Sequence, residues 1–206
     1  IRNRERLSYL PRELPEEKQR LTVCEYFLEE EHFFDQTPKE LARLASEFHV
    51  PSDFYYREQQ MRTLSGGEKV KAQLMRILMQ EPTVLLLDEP SNDIDLETLE
   101  WLEKFLLEWQ HPVLFISHDE TLIEHTANMV IHIEQIRRKT VSRYTVAKMP
   151  YLQYKEERLR QFENQERLAE SERREKKIRE EKLKRIYQSV DYEQETISSF
   201  NILDRK

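Results

Sequence analysis

Apolar residues in the first three quarters of the chain follow two rhythms. Val23 and Phe27, then Leu41, Leu44, Ala45 and Phe48, then Val70, Leu74, Ile77 and Leu78, and then Leu99, Leu102, Leu106 and Trp109 recur every three or four positions. That is the spacing of one helix face. It predicts helices over residues 22–31, 38–49, 68–80 and 95–109, with Pro38 near one start and Pro51 and Pro82 after two ends. Val84-Leu85-Leu86-Leu87 and Val113-Leu114-Phe115-Ile116 are instead short unbroken apolar runs, which read as buried parallel strands. Leu7 to Leu10 is a short strand-like start stopped by Pro11 and Pro15. A helix near residues 120–126, a strand at 129–133 and a weakly alternating, antiparallel addition at 140–146 continue an α/β pattern.

Strand, helix, strand implies a right-handed parallel crossover. Asp88 and Glu89 end the first run, and Ser117-His118-Asp119 ends the second. These groups therefore emerge at one sheet edge, where open α/β sheets bind ligands. After Pro150 the pattern changes: Tyr151, Leu152, Tyr154, Leu159 and Phe162 give way to residues 170–177, which contain no large apolar side chain. Such a segment forms a long exposed helix held by charge pairs four residues apart, a connector without a core of its own. The polar tail, residues 189–206, carries little signal.

Composition sharpens this picture at three points. The net charge of -7 argues against a globally basic nucleic-acid binder. Residues 155–185, however, hold 12 Lys/Arg against 9 Asp/Glu, a local excess of +3 that leaves -10 elsewhere. The lone Cys24 excludes an intrachain disulfide and reads as a buried structural thiol suited to a reducing cytosol. No apolar run approaches the ~20 residues that span a bilayer, and no segment resembles a signal peptide. With 206 residues the chain accommodates one core and an extension, and its start at Ile1 reads as a cut from a larger protein.

Both glycines of the chain are spent at Gly66 and Gly67, inside Leu64-Ser65-Gly66-Gly67-Glu68. A Ser-Gly-Gly turn opening a helix offers a hydroxyl and free first-turn amides to an anion. The phosphate-cradling G-x-x-x-x-G-K-[ST] loop needs two glycines five residues apart. The chain has no such loop, so any nucleotide site here is completed by another segment or another chain.

These motifs, in order and spacing, closely resemble an ATP-binding-cassette (ABC) ATPase over residues 9–133. Residues 64–68 resemble the family signature, Val84 to Pro90 the Walker B strand with its glutamate, Ser91-Asn92-Asp93-Ile94-Asp95 the D-loop, and Ser117-His118-Asp119 the switch histidine. The Glu89 to Asp95 stretch, the segment from Ser117 to Glu134 and the Tyr151-x-x-Tyr154 ahead of a charged helix resemble the ABC-F group, whose members carry two cassettes on one polypeptide and no membrane domain. The resemblance implies a partial P-loop-NTPase-like ABC cassette, a parallel-sheet core lacking its phosphate loop, with a helical subdomain and a C-terminal long charged helix. Its expected divisions are 1–16 for the end of the core with the Q-loop region, 17–75 for the helical subdomain, 76–147 for the α/β core and 148–206 for the interdomain linker.

By the same resemblance ATP and Mg2+ are the cofactors. Asp88 holds the metal, a hard cation that prefers carboxylate oxygen, while Glu89 orients or deprotonates the attacking water. His118 reaches a phosphate. Ser65, Gly66 and Gly67, flanked by Leu64 and Glu68, bind the γ-phosphate held by the facing cassette, so the chain contributes to two ATP sites. Asp95 is read as a link between cassettes, with an ordinary helix N-cap as the alternative. Arg158, Arg160, Arg167, Arg173, Arg174, Lys176 and Lys177 are candidates for RNA phosphate contact, against a solvated helix face. His32, His49, His111, His125 and His132 are read as structural. Three positions depart from the family: Arg12 stands where the Q-loop glutamine is expected, Asp93 where the D-loop has His, and no Gly occurs at 135–139.

The implied function is that of a cytoplasmic two-cassette ATPase acting on the ribosome, its rRNA and its tRNA, as a translation factor or an antibiotic-resistance protein. The fragment alone is expected to be inactive for want of a phosphate loop. Two rivals use the same motifs: the ATP-binding subunit of a membrane transporter, and a degenerate cassette serving as a scaffold, for which Arg12 is the motive.

Overall fold

The computed structural model describes residues 5–136 and 141–203, and side chains within 5–135 and 142–186. Chain contacts divide it into two compact units, Ile1–Tyr151 and Leu152–Lys206. The first unit holds strands β1 (Leu7–Leu10), β2 (Val84–Asp88) and β3 (Val113–Ile116), paired in parallel in the order β1-β2-β3. Leu10 lies opposite Leu87, and Asp88 opposite Ile116. The three carboxyl ends therefore share one edge. β4 (Val130–Ile136) and β5 (Val141–Ala147) form a separate antiparallel pair, as the weak alternation predicted; of the turn expected at 135–139, residues 137–139 lie outside the described residues.

Helices α1 (Glu16–Gln19), α2 (Val23–Leu28) and α3 (Pro38–Glu47) build a helical layer with short 3-10 turns at Glu31–Phe33, Phe54–Tyr56 and Met61–Thr63. Thr22 and Thr37 start α2 and α3 with reciprocal capping boxes to Glu25 and Glu40, and Pro38 occupies the first helical position of α3. The caps hold both carboxyls below their ordinary pKa, because ionised Glu25 and Glu40 accept from Thr22 and Thr37. Inside the layer Phe27, Phe48, Phe54, Tyr55 and Met61 are fully buried, and the Phe27 and Tyr55 rings meet edge-on at 4.9 Å.

α4 (Gly66–Met79) joins the helical layer to the sheet, and it is buried nearly all round, including Lys71 and Gln73. Its Leu74 and Met75 belong to one continuous core with Phe27, Phe48, Leu85 and Leu87. Polar contacts bind the same three layers together. Glu30, only 7% exposed, accepts from Gln80 at 2.8 Å, meets the His32 ring at 3.0 Å and pairs with the Arg76 guanidinium at 3.4 Å. Ser8 on β1 donates to Gln80 in turn. Burial by itself raises the Glu30 pKa, but the hydrogen bonds from Gln80, His32 and Arg76 outweigh it and hold the carboxyl below its ordinary value. Tyr26, over whose ring Arg76 lies at 4.5 Å, is pushed up to about 12 by its burial.

α5 (Leu96–Glu108) packs Trp101 and Leu102 into the core, and the Trp101 indole N–H donates to the Glu47 carbonyl at the end of α3, 3.0 Å away. α6 (Glu120–Thr126) follows β3. The second unit is part of α7 (Tyr151–Leu203), 53 residues long and so about 80 Å. It runs on through the tail to Leu203. From Leu159 to Ile186 its residues are exposed, and Lys176 and Glu180 pair one turn apart at 3.9 Å.

One expectation needs correcting. The apolar runs of β2 and β3 predicted strands buried on both faces, yet only one face of the sheet is covered. Leu85 and Leu87 are buried, whereas Leu7, Tyr9, Leu114 and Ile116 on the other face are about half exposed or more, Ile116 to 61%. An unbroken apolar run encodes two buried faces, and no described element packs on the second.

Candidate functional site

β2 ends in Asp88, and the chain turns at once: Glu89 adopts φ 50°, left-handed for a non-glycine residue. Its amide donates to the Ile116 carbonyl at 2.8 Å, which locks the turn onto the end of β3. The Glu89 side chain is 9% exposed and is held from two sides by His118. The His118 backbone amide donates to Oε2 at 3.1 Å, and its Nε2 lies 3.1 Å from Oε1. The imidazole itself is 90% exposed. A buried carboxylate is thus aimed at the sheet edge and linked to a solvent-facing ring, an arrangement able to accept a proton and relay contact outward. Ser91 and Ser117 hydroxyls, 2.9 Å apart, tie the two turns, and Ser117 also accepts from the Asp119 amide.

Asp88 lies half-buried beside Glu89, and Tyr9 on β1 donates its hydroxyl to Asp88 Oδ2 at 3.0 Å. That bond raises the Tyr9 pKa, since ionising the phenol beside a carboxylate is unfavourable. Tyr9 had no signal in the sequence: only the register, Tyr9 opposite Leu86, places it diagonally across from Asp88. Arg12 follows at the same edge, exposed, and its guanidinium makes no hydrogen bond or ion pair with the described residues.

The signature residues open α4. Leu64 is buried, and Ser65 is the N-cap, accepting from the Glu68 amide at 3.2 Å and donating to the Glu68 carboxylate in a full capping box. Arg57 holds the other Glu68 oxygen at 3.3 Å. The glycines are required by packing. A Cβ on Gly66 would lie 1.7 Å from the Asp93 carbonyl oxygen, and one on Gly67 2.4 Å from Thr98 Oγ1. Asp93, itself at φ 57°, therefore presses the loop at 91–95 against the helix start. Asp95 is the N-cap of α5, accepting from the Thr98 amide at 2.8 Å, and that bond lowers its pKa.

Chemically, the donor set suits Mg2+ and ATP. No group of three or more Asp, Glu, His or Cys able to hold a metal occurs among the described residues, so a cation at this edge would have at most two such side chains, with Asp88 the candidate carboxylate, plus ligands from elsewhere. Mg2+ bound through one or two carboxylates and substrate phosphates has that pattern. The first-turn amides of α4, a 14-residue helix, have no intrahelical acceptors and carry the positive end of its dipole.

Residues 2–92 match the family model described as ABC transporter. Over those residues the chain is similar to the ABC transporter family. The chain is 46% identical over 100 residues to the ATP-binding protein Uup of Haemophilus influenzae, and 39% over 72 residues to the energy-dependent translational throttle protein EttA of the same organism. These alignments cover 48% and 35% of the chain but only 15% and 13% of the two relatives. A solved archaeal ribosome recycling factor, aABCE1 in complex with the ribosomal stalk protein aP1, shares the fold with a TM-score of 0.52 at 19% identity, over 70% of this chain and 28% of that one.

Three of the histidines read as structural have side-chain partners. His32 and His125 pair with Glu30 and Glu103, and His111 meets the Trp109 ring. A cavity of about 350 Å³ is lined by Phe48, Trp101, Phe105 and Trp109 and by none of the residues at the sheet edge. On α7, Arg160, Arg167, Arg173, Arg174, Lys176 and Lys177 are exposed and Arg158 is half-buried. No described helix is long and apolar enough to cross a membrane.

Proposed function

We propose that this chain is the second half of the first cassette, with part of the linker, of a cytoplasmic ABC-F-type ATPase that hydrolyses ATP to act on the ribosome. The observation that carries the reading is the Glu89 carboxylate, buried at the end of β2 and held by both the amide and the ring of His118. Intact placement of Asp88, Glu89 and His118 at one edge favours a working ATPase over a scaffold. The similarity to a translational throttle protein supports the ribosome as target.

In this reading Glu89 orients the attacking water and takes its proton, helped by low solvent exposure. His118 stabilises the carboxylate between turnovers and hydrogen-bonds the terminal phosphate through its exposed ring. Asp88 holds Mg2+, which when bound neutralises charge building on the phosphates. Ser65 with the Gly66 and Gly67 amides faces the nucleotide of a second cassette, and there phosphate takes the place of the Glu68 carboxylate on the Ser65 hydroxyl. Asp95, by fixing the start of α5, shapes the surface that meets that cassette. The open sheet face at Leu7, Leu114 and Ile116 receives the segment carrying the phosphate loop. The linker cations Arg158, Arg160, Arg167, Arg173, Arg174, Lys176 and Lys177 contact RNA phosphates. Protection against a ribosome-targeting antibiotic is one form this activity takes.

Ribosome co-sedimentation of the full-length protein tests the reading. Carrying Glu89→Gln and the equivalent change in its other cassette, the protein is retained on ribosomes with ATP and released without it. ATP binding with no retention would refute the ribosomal role and favour a transporter subunit. Magnesium-dependent turnover by the isolated chain would refute the claim that the phosphate loop lies elsewhere.

A further inference from the structure

The Asp88 carboxylate has a partner that the ATPase chemistry leaves unassigned. On the parallel ladder Tyr9 sits opposite Leu86, and Leu86 and Asp88 project from the same face of β2. A long side chain reaches such a diagonal neighbour across two strands, and the Tyr9 hydroxyl does so, 3.0 Å from Oδ2. Among the described residues no other hydrogen-bond donor reaches this carboxylate side chain. Oδ1 is left as the oxygen offered to a ligand.

We propose that Tyr9 is a positioning residue for the metal-binding carboxylate, holding Asp88 by Oδ2 so that Oδ1 is presented to the divalent cation. This rests on the assignment of Asp88 as the metal carboxylate. A phenol suits the task because it donates one hydrogen bond without bringing a positive charge that would compete with the cation, as an arginine or lysine would. Groups that orient a metal ligand from behind set its affinity, and their loss costs about 10–100-fold in metal binding. A purely structural role is a poor account of the contact. Tyr9 is about half exposed in this chain, where a hydrogen bond contributes little to folding, and the melting curve of Tyr9→Phe checks the same point in the full-length protein.

The test uses the full-length protein with Mn2+ as a spectroscopic substitute, titrated by electron paramagnetic resonance in the presence of a non-hydrolysable ATP analogue. Asp88→Asn defines the site by abolishing one class of bound Mn2+. Tyr9→Phe keeps the ring and removes only the hydroxyl, and it weakens Mn2+ at that same class by about tenfold while the melting curve stays in place. Unchanged Mn2+ affinity in Tyr9→Phe, with Asp88→Asn still abolishing the site, overturns the role of Tyr9 and leaves the ATPase reading intact. Mn2+ binding that survives Asp88→Asn overturns the assignment of Asp88 and the proposal with it.

Discussion

Gly66→Ala and Gly67→Ala separate two reasons for the paired glycines: room for a phosphate, or room for the loop at 91–95. The contact at Gly66 is with backbone. An added Cβ would stand 1.7 Å from the Asp93 carbonyl oxygen, and reaching ordinary contact requires the loop and helix start to part by roughly 1.5 Å or more. Overpacking of this kind costs about 1–3 kcal/mol, and alanine returns less than the ~1 kcal/mol it gains over glycine in mid-helix, because the position is in the first turn. We expect Gly66→Ala to destabilise the first unit by about 2 kcal/mol, lowering its Tm by roughly 4–8 °C. At Gly67 the clash is with the Thr98 side chain, so Gly67→Ala costs about 1 kcal/mol and Thr98→Ala relieves it in a double-mutant cycle. No side-chain change rescues Gly66→Ala. Fluorescence of Trp101 and Trp109, both in this unit, follows urea unfolding without interference from α7. Equal or greater stability of Gly66→Ala would refute the packing argument and leave phosphate approach as the reason for glycine.

Four further outcomes follow from named contacts. Glu30→Gln removes one of the two carboxylates paired with Arg76, leaving Glu29 at 3.7 Å, and costs about 1.5–3 kcal/mol at neutral pH; urea midpoints measure it. Because the folded Glu30 pKa is depressed, this stability is present above the unfolded glutamate pKa of about 4.3 and disappears as pH falls through the lower folded value, so the two proteins converge in acid. Trp101→Phe leaves the Glu47 carbonyl without its 3.0 Å donor and loses the Lys71 contact over the indole ring, a cost of about 1–2 kcal/mol read from the same unfolding curves. Thr37→Ala removes the α3 capping box and costs about 1 kcal/mol. We expect the isolated chain to self-associate in sedimentation through the open sheet face, Leu114→Lys with Ile116→Lys to keep it monomeric, and the same pair to abolish nucleotide binding in the full-length protein.

Helices whose apolar stripe faces one core were legible from spacing alone, and so were the starts marked by Pro38, Ser65 and Asp95, whose capping chemistry acts within one turn, whereas the helix expected over 22–31 stops at Leu28. The convergence of Asp88, Glu89 and His118 was legible because parallel pairing puts the ends of β2 and β3 side by side. What the sequence concealed depends on register and on backbone approach. The bond from Tyr9 to Asp88 needs the offset between β1 and β2, and the reason for Gly66 needs the path of residues 89–95. The short α1 and the 3-10 turns were not foreseen, since three or four residues hold no full period. The open sheet face escaped notice for a different reason: the apolar runs encode a cover that no described element of this chain supplies.

The loop from Glu89 to Asp95 joins the sheet edge to the start of α4. It begins with Glu89 at φ 50° and bends again at Asp93 with φ 57°, two conformations that cost energy for residues with a side chain and persist only where surroundings enforce them. The first is enforced by the Ile116 carbonyl and the His118 contacts, and it turns the Glu89 carboxylate back toward β3. The second drives the Asp93 carbonyl into the space that Gly66 leaves open. Asp95 then closes the loop by capping α5, whose Thr98 fills the space at Gly67. A shift of Glu89 relative to β3 is therefore felt at the start of α4 through backbone, with no flexible side chain to absorb it. In the proposed ATPase those two places would belong to different nucleotide sites, and the backbone contact at Gly66 is the path by which a displacement at one would reach the other.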